Sequence, residues 1–336
     1  MKEINRRNFI HQAALTGLSI GLINKPTILF WKPLGRVEKK IGIIGLDTSH
    51  SVAFTKALNA NFADASFRGY KVIAAYPYGS KEIESSAKRI PGYVDEVKQL
   101  GVEIVDSIQA LLKKVDCILL ETNDGRLHLE QAKLVIEANK PLFIDKPMTA
   151  SVKDAKKIFA LAREKNVPIF SASSLRYADH IKEIVEDKLI GSITGADTYS
   201  PATLESTHPD LFWYGIHGVE TLYAIMGTGC KSVTRVSTTD TDVVVGVWDD
   251  GRVGTFRGIR KGKKDFGGTA FGTTGIQQIG PYNGYQPLLE KIVEFFDTKV
   301  PPVKEADTLE ILAFMEAADL SKDRGGASIL LEEVLK

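Results

Sequence analysis

The sequence predicts an α/β chain in two parts: a parallel sheet with crossover helices, then an α+β region on a mostly antiparallel open sheet. Three observations predict it. From Lys39 to about residue 175, short apolar runs alternate with amphipathic helical ones, the order of a sheet built from βαβ units. After about residue 190 glycine becomes frequent, and strand-like runs follow one another without helices between them. The 336 residues suit two domains, and 43% hydrophobic with 25% charged residues is enough to bury a large core.

Each element has a local reason. KIGIIGL (40–46) reads as a buried strand, followed by a helix from about Ser49 to Asn59. KVIAAY (71–76) is a second strand, and GVEIVDS leads to a short helix around IQALLKK. VDCILLE (115–121) is another buried strand, in which Cys117 reads as a core residue. LHLEQAKLVIEANK places Leu129, Ala132, Val135 and Ile136 at helical spacing and stops at Asn139-Lys140-Pro141. LFID (142–145) is a strand, Ser151-x-x-Asp154 opens the next helix with a capping-box pattern, and VPIFSAS is one more strand. In the second region, DVVVGVWDDGRVGTFRGIR reads as a hairpin about Asp249-Asp250-Gly251. YQPLLEKIVEFFDT and DTLEILAFMEAADLSKD are amphipathic helices. The expected division is 1–38 signal and linker, 39–148 nucleotide-binding-type domain, and 149–336 substrate and oligomerisation domain.

The N-terminal segment reads as an address. Asn5-Arg6-Arg7-Asn8-Phe9-Ile10 precedes the mildly apolar AALTGLSIGLI, a charged region before a short hydrophobic one. The Arg6-Arg7 pair with Phe9 resembles a twin-arginine signal, which implies export of the folded protein to the periplasm. Lys25-Pro26 interrupts the run short of the roughly 20 apolar residues a bilayer span needs, and TILFW (27–31) could hold the chain loosely at a membrane. The first 38 residues carry six Lys or Arg against two Glu, so the remainder is slightly acidic. That balance argues against a nucleic-acid partner. Cys117 and Cys230 are too few for a disulfide scaffold or a cysteine zinc cage.

Ligands of an open parallel sheet bind beyond the carboxyl ends of its strands. Here those ends are Gly45–His50, Tyr76–Ser80, Glu121–Asn123, Asp145–Pro147 and Ser171–Ser174, and they hold most of the polar residues of interest. Thr48 and Ser49 also offer hydroxyls at a helix N-terminus, which favours anions. His50, His128, Glu121 and Asp145 are types that ligate metals, but no pair has ligand spacing, so no metal site is expected.

These features resemble the Gfo/Idh/MocA oxidoreductases. The likeness rests on the first strand and turn, on ETNDGRLH where that family has T-P-N-x-x-H, on DKP where it has E-K-P, and on SASSLRY. YGIHGVETLYAIMG resembles the family's G-V-H-x-x-D-x-x-x-x-L-x-G helix. The resemblance implies a Rossmann-like domain and an NAD(P)-dependent oxidoreductase acting on a sugar, cyclitol or related polyol, possible recycling of a tightly held cofactor included. It implies Lys146 and His217 as catalytic groups. The cofactor would meet Gly45, Asp47, Thr48, Ser49, His50, Thr122, Asn123, His128, Asp145 and Lys146, and the substrate Arg176, Trp213 and Tyr214. A homo-oligomer is implied as well. NAD and NADP both stay open, since no acidic residue follows the second strand and Ser80-Lys81 offers only a faint 2′-phosphate signal.

The departures define a second reading. Asp47 and His50 stand where the family's turn has its second and third glycines, and Trp213 stands where an Asp precedes the histidine. A carboxylate at Asp47 would repel a pyrophosphate. Asp210 and His208 are the nearby candidates to replace the missing Asp. On this second reading the chain is a redox-dead ligand-binding or regulatory protein on the same fold.

Overall fold

The computed structural model describes residues 39–186 and 188–336. The expected signal, with Arg6-Arg7 and TILFW, lies outside the described residues. No described helix is long and apolar enough to cross a membrane.

The first sheet contains β1 (Lys39–Ile44), β2 (Tyr70–Tyr76), β3 (Glu103–Ile104), β4 (Cys117–Leu120), β5 (Leu142–Ile144) and β6 (Ile169–Ser171). All are parallel, in the order β3-β2-β1-β4-β5-β6. The order reverses between β1 and β4, which opens a crevice at their carboxyl ends. Helices cover both faces, so Ile41, Ile43, Ile44 and residues 117–120 are almost wholly buried. This burial explains why these strands read as continuous apolar runs. The helix Ser49–Asn59 starts from an extended Thr48, and Ser151 caps the helix Val152–Lys165 by accepting the Asp154 N–H. That second helix ends at Asn166 in the left-handed conformation.

Two features depart from the expected division. The boundary after Met148 falls inside the parallel sheet, because β6 supplies its sixth strand. The helix Gln286–Thr298, assigned by sequence to the second domain, returns to the first. Its Leu288, Leu289, Ile292, Val293, Phe295 and Phe296 join the core of Ile41, Ile43 and Phe54. An amphipathic pattern shows that a helix has a buried face; it does not show which sheet that face covers.

The second sheet contains β7 (Ile193–Pro201), β8 (Cys230–Ser237), β9 (Thr241–Trp248), β10 (Val253–Ile259), β11 (Gly267–Gly272), β12 (Ile276–Ile279) and β13 (Ile329–Leu330). Its order is β12-β11-β7-β10-β9-β8-β13, antiparallel except where β7 meets β10. The expected hairpin is present, with Val253 opposite Val247 and Gly251 at φ +87° in the turn. The helices Ile216–Met226 and Glu305–Asp323 join its core through Val219, Leu222, Leu312 and Phe314.

Candidate active site

The first turn packs its unusual residues inward. Gly45 has φ +93°, and a Cβ there would lie 2.5 Å from the Thr122 backbone nitrogen, so only glycine fits. Asp47 is fully buried and accepts the Asn123 N–H at 3.0 Å. A Cβ on Gly79 would lie 2.0 Å from Asp47 Oδ2, so Asp47 fills the space between the ends of β1, β2 and β4. Burial pushes its carboxyl up to about 6. The expected clash with a pyrophosphate is therefore corrected: Asp47 is a tie between strand ends and forms no part of the crevice wall.

A cavity of about 670 Å³ lies where the two sheets' loops meet. The first domain contributes Thr48, Ser49, His50, Asn123 and Lys146 to its wall; the second contributes Trp213, Tyr214 and His217. Lys146 is 6% exposed, with its ammonium 5.9 Å from the centre of the Tyr214 ring. His217 Nδ1 lies 2.7 Å from Ser173 Oγ, and burial, aided by Lys146 and His50, holds the imidazole well below its usual pKa. A neutral ring fixed at Nδ1 keeps its other nitrogen available for a ligand.

The two substitutes for the missing Asp go elsewhere. His208 Nε2 lies 3.3 Å from Asp124 Oδ1, and its ring packs against Trp213 at 5.1 Å. Asp210 accepts from Arg235 and Lys322.

Other site residues predicted from sequence lie behind the wall. Gly45, Asp47, Thr122, His128 and Asp145 do not line the cavity. His128 is fully buried, with Nδ1 3.0 Å from the Met148 carbonyl and Nε2 2.6 Å from that of Thr122. It ties the exit of β4 to the Lys-Pro segment. Arg176 pairs with Glu220 at 2.5 Å and lines a different pocket. Sequence reasoning missed Ser85, Arg89, Tyr93, Phe266, Tyr282 and Tyr285 in the wall. Tyr282 and Tyr285 flank a helix that reads as core, so no local signal set them apart. The spacing argument against a metal cluster also fails in part: His50, Glu121 and Asp145 converge, while His128 stays out.

The fold is a Rossmann-like parallel sheet beside a second, mostly antiparallel one, with the cavity at the first sheet's switch point. Residues 39–173 match the model of the Gfo/Idh/MocA family, described as an oxidoreductase family with an NAD-binding Rossmann fold. An uncharacterized oxidoreductase of Streptococcus pneumoniae is 23% identical over 154 residues, 41% of this chain and 41% of that protein. The uncharacterized oxidoreductase YhhX of Escherichia coli is 27% identical over 113 residues, 30% of this chain and 32% of its own length. The chain thus matches under half the length of these relatives. Scyllo-inositol dehydrogenase from Lactobacillus casei, solved with NAD(H) and scyllo-inositol, superposes with a TM-score of 0.72 at 15% identity, covering 88% of this chain and 99% of that one. A probable dehydrogenase from Thermotoga maritima gives 0.70 at 20% identity, with 88% and 99% coverage. These structures share the fold.

The residues present fit such a cofactor. Gly45 permits the tight turn, and Thr48 and Ser49 line the cavity at a helix N-terminus. Arg89, Ser85 and Asn123 extend that polar wall.

Proposed function

We propose that the chain is an NAD(P)-dependent oxidoreductase acting on a carbinol of a sugar, cyclitol or related polyol. One observation carries the reading: Lys146 and His217, from opposite domains, line one cavity with the Thr48–Ser49 helix start. A bound nicotinamide supplies the hydride acceptor or donor. Lys146 takes or returns the hydroxyl proton, which must leave as the hydride does. His217, held by Ser173, orients that hydroxyl, and Trp213 and Tyr214 pack on the C–H face of the ring. The inositol dehydrogenases among the structural neighbours, one from L. casei and one putative from Sinorhizobium meliloti, support a polyol as the substrate class.

Lys146→Met keeps the aliphatic stem and removes the ammonium. Turnover of a polyol found by screening is expected to fall ~10²–10⁴-fold, with nicotinamide binding retained. Full turnover in this variant would remove the mechanism, and failure of the wild type to bind NAD or NADP would leave the ligand-binding reading. Export is part of the proposal, resting on Arg6-Arg7 and the apolar run after them. Changing both arginines to lysine should keep folded protein in the cytoplasm; undiminished periplasmic recovery would count against export.

A further inference from the structure

Beneath the cavity, three side chains from three strand ends converge. His50 belongs to the first turn of the helix after β1, Glu121 follows β4, and Asp145 follows β5. One ligand atom from each lies within 4.8 Å of the others. His50 Nδ1 is 2.8 Å from Asp145 Oδ2 and 4.0 Å from Glu121 Oε2. Glu121 is wholly buried and Asp145 is 1% exposed, yet neither Glu121 oxygen has a hydrogen-bond donor. The His50–Asp145 contact is close but is not a hydrogen bond by its geometry. Lys146 acts on both acids through its charge and offers its backbone N–H to Asp145, whereas Glu121 receives no donor from it.

A wholly buried Glu121 with neither oxygen hydrogen-bonded, set beside a second buried carboxylate, is costly unless a further cation meets the pair. One imidazole nitrogen with two carboxylates is a donor set for a first-row divalent ion. Bonds of ~2.0–2.2 Å in a tetrahedral site place ligand atoms roughly 3.3–3.6 Å apart. The observed 2.8 and 4.0 Å bracket that separation, so small side-chain rotations close the site.

We propose that His50, Glu121 and Asp145 bind one divalent transition-metal ion of the zinc or manganese type. His50 also lines the cavity, so the ion would lie directly beneath the wall that receives the substrate. This inference is independent of the oxidoreductase reading.

The test uses the full chain, stripped with a chelator and titrated with Zn²⁺ and with Mn²⁺ by calorimetry, with elemental analysis for stoichiometry. The wild type should take up one equivalent of at least one of these ions, and its melting temperature should rise with it. Glu121→Gln and Asp145→Asn preserve shape, and each should weaken uptake by about 100-fold or more, beyond the usual cost of an outer partner. The metal-dependent rise in melting temperature should vanish with it. Melting curves recorded without metal show that each variant folds, and either one suffices. No stoichiometric uptake by the wild type overturns the proposal. So does undiminished uptake in the variants, which would place the ion elsewhere.

Discussion

The molecule buries carboxylates in two clusters and treats them in opposite ways. In the second domain, fully buried Arg235 donates to Asp242, Asp210 and Asp319, while Arg260 reaches Asp242 and Lys322 reaches Asp210. Three acids thus meet three bases, only Asp319 Oδ2 among their buried oxygens lacks a partner, and the cluster ties β8, β9 and two helices together. Although burial pushes them up, Asp210 and Asp242 are held below the usual carboxylate range by these cations. In the first domain, Glu121 lies beside Asp145, His50 and Lys146 with neither of its oxygens hydrogen-bonded. Burial, reinforced by Asp145, raises Glu121 well above its usual value. Burial also pushes Asp145 up, but His50 and Lys146 together hold the carboxyl low. A saturated cluster serves the fold; an unsaturated one at a strand-end crevice is poised for a ligand or a proton.

The largest way to break this contrast is Arg235→Met. It leaves Asp242 and its neighbours without their central partner, and the expected loss is about 3–5 kcal/mol of unfolding free energy. Denaturant titration measures it, and a loss under about 1 kcal/mol would mean that the acids are satisfied without the guanidinium. The smaller change sharpens it. Glu121→Gln should stabilise the metal-free protein by about 1–3 kcal/mol at pH 8, because folding then no longer requires a buried carboxyl to take up a proton or carry an unpaired charge. The sign follows from linkage. With its folded pKa raised, Glu121 holds a proton in the folded state that the unfolded chain releases above the ordinary carboxylate range. Wild-type stability therefore falls as pH rises through that window, and the variant escapes this fall. The advantage should vanish toward pH 4, and one that does not change with pH would show that Glu121 does not titrate on unfolding.

The same contrast shows how much of the site was legible. Lys146 and His217 were legible only through the resemblance to the Gfo/Idh/MocA motifs, and both line the cavity. Asp47 was legible as an oddity in the turn, but its role was not. Whether its carboxylate faces solvent or the strand ends depends on Gly79 and Asn123, which approach it from other loops. His128 is another such case: its partners, the carbonyls of Thr122 and Met148, lie in other loops. Arg176 was placed near substrate, and its orientation was decided by Glu220 on a distant helix.

By itself, the sequence determined the strands, the helices, their caps and the switch in texture between the two sheets. These follow from apolar period and terminal side chains, which act over a few residues. Tertiary structure alone decided that β6 completes the first sheet, that the helix Gln286–Thr298 returns to cover it, and that His50, Glu121 and Asp145 meet. Strand order brings residues far apart in the chain to one point, and electrostatics depends on distance in space, which no local period records.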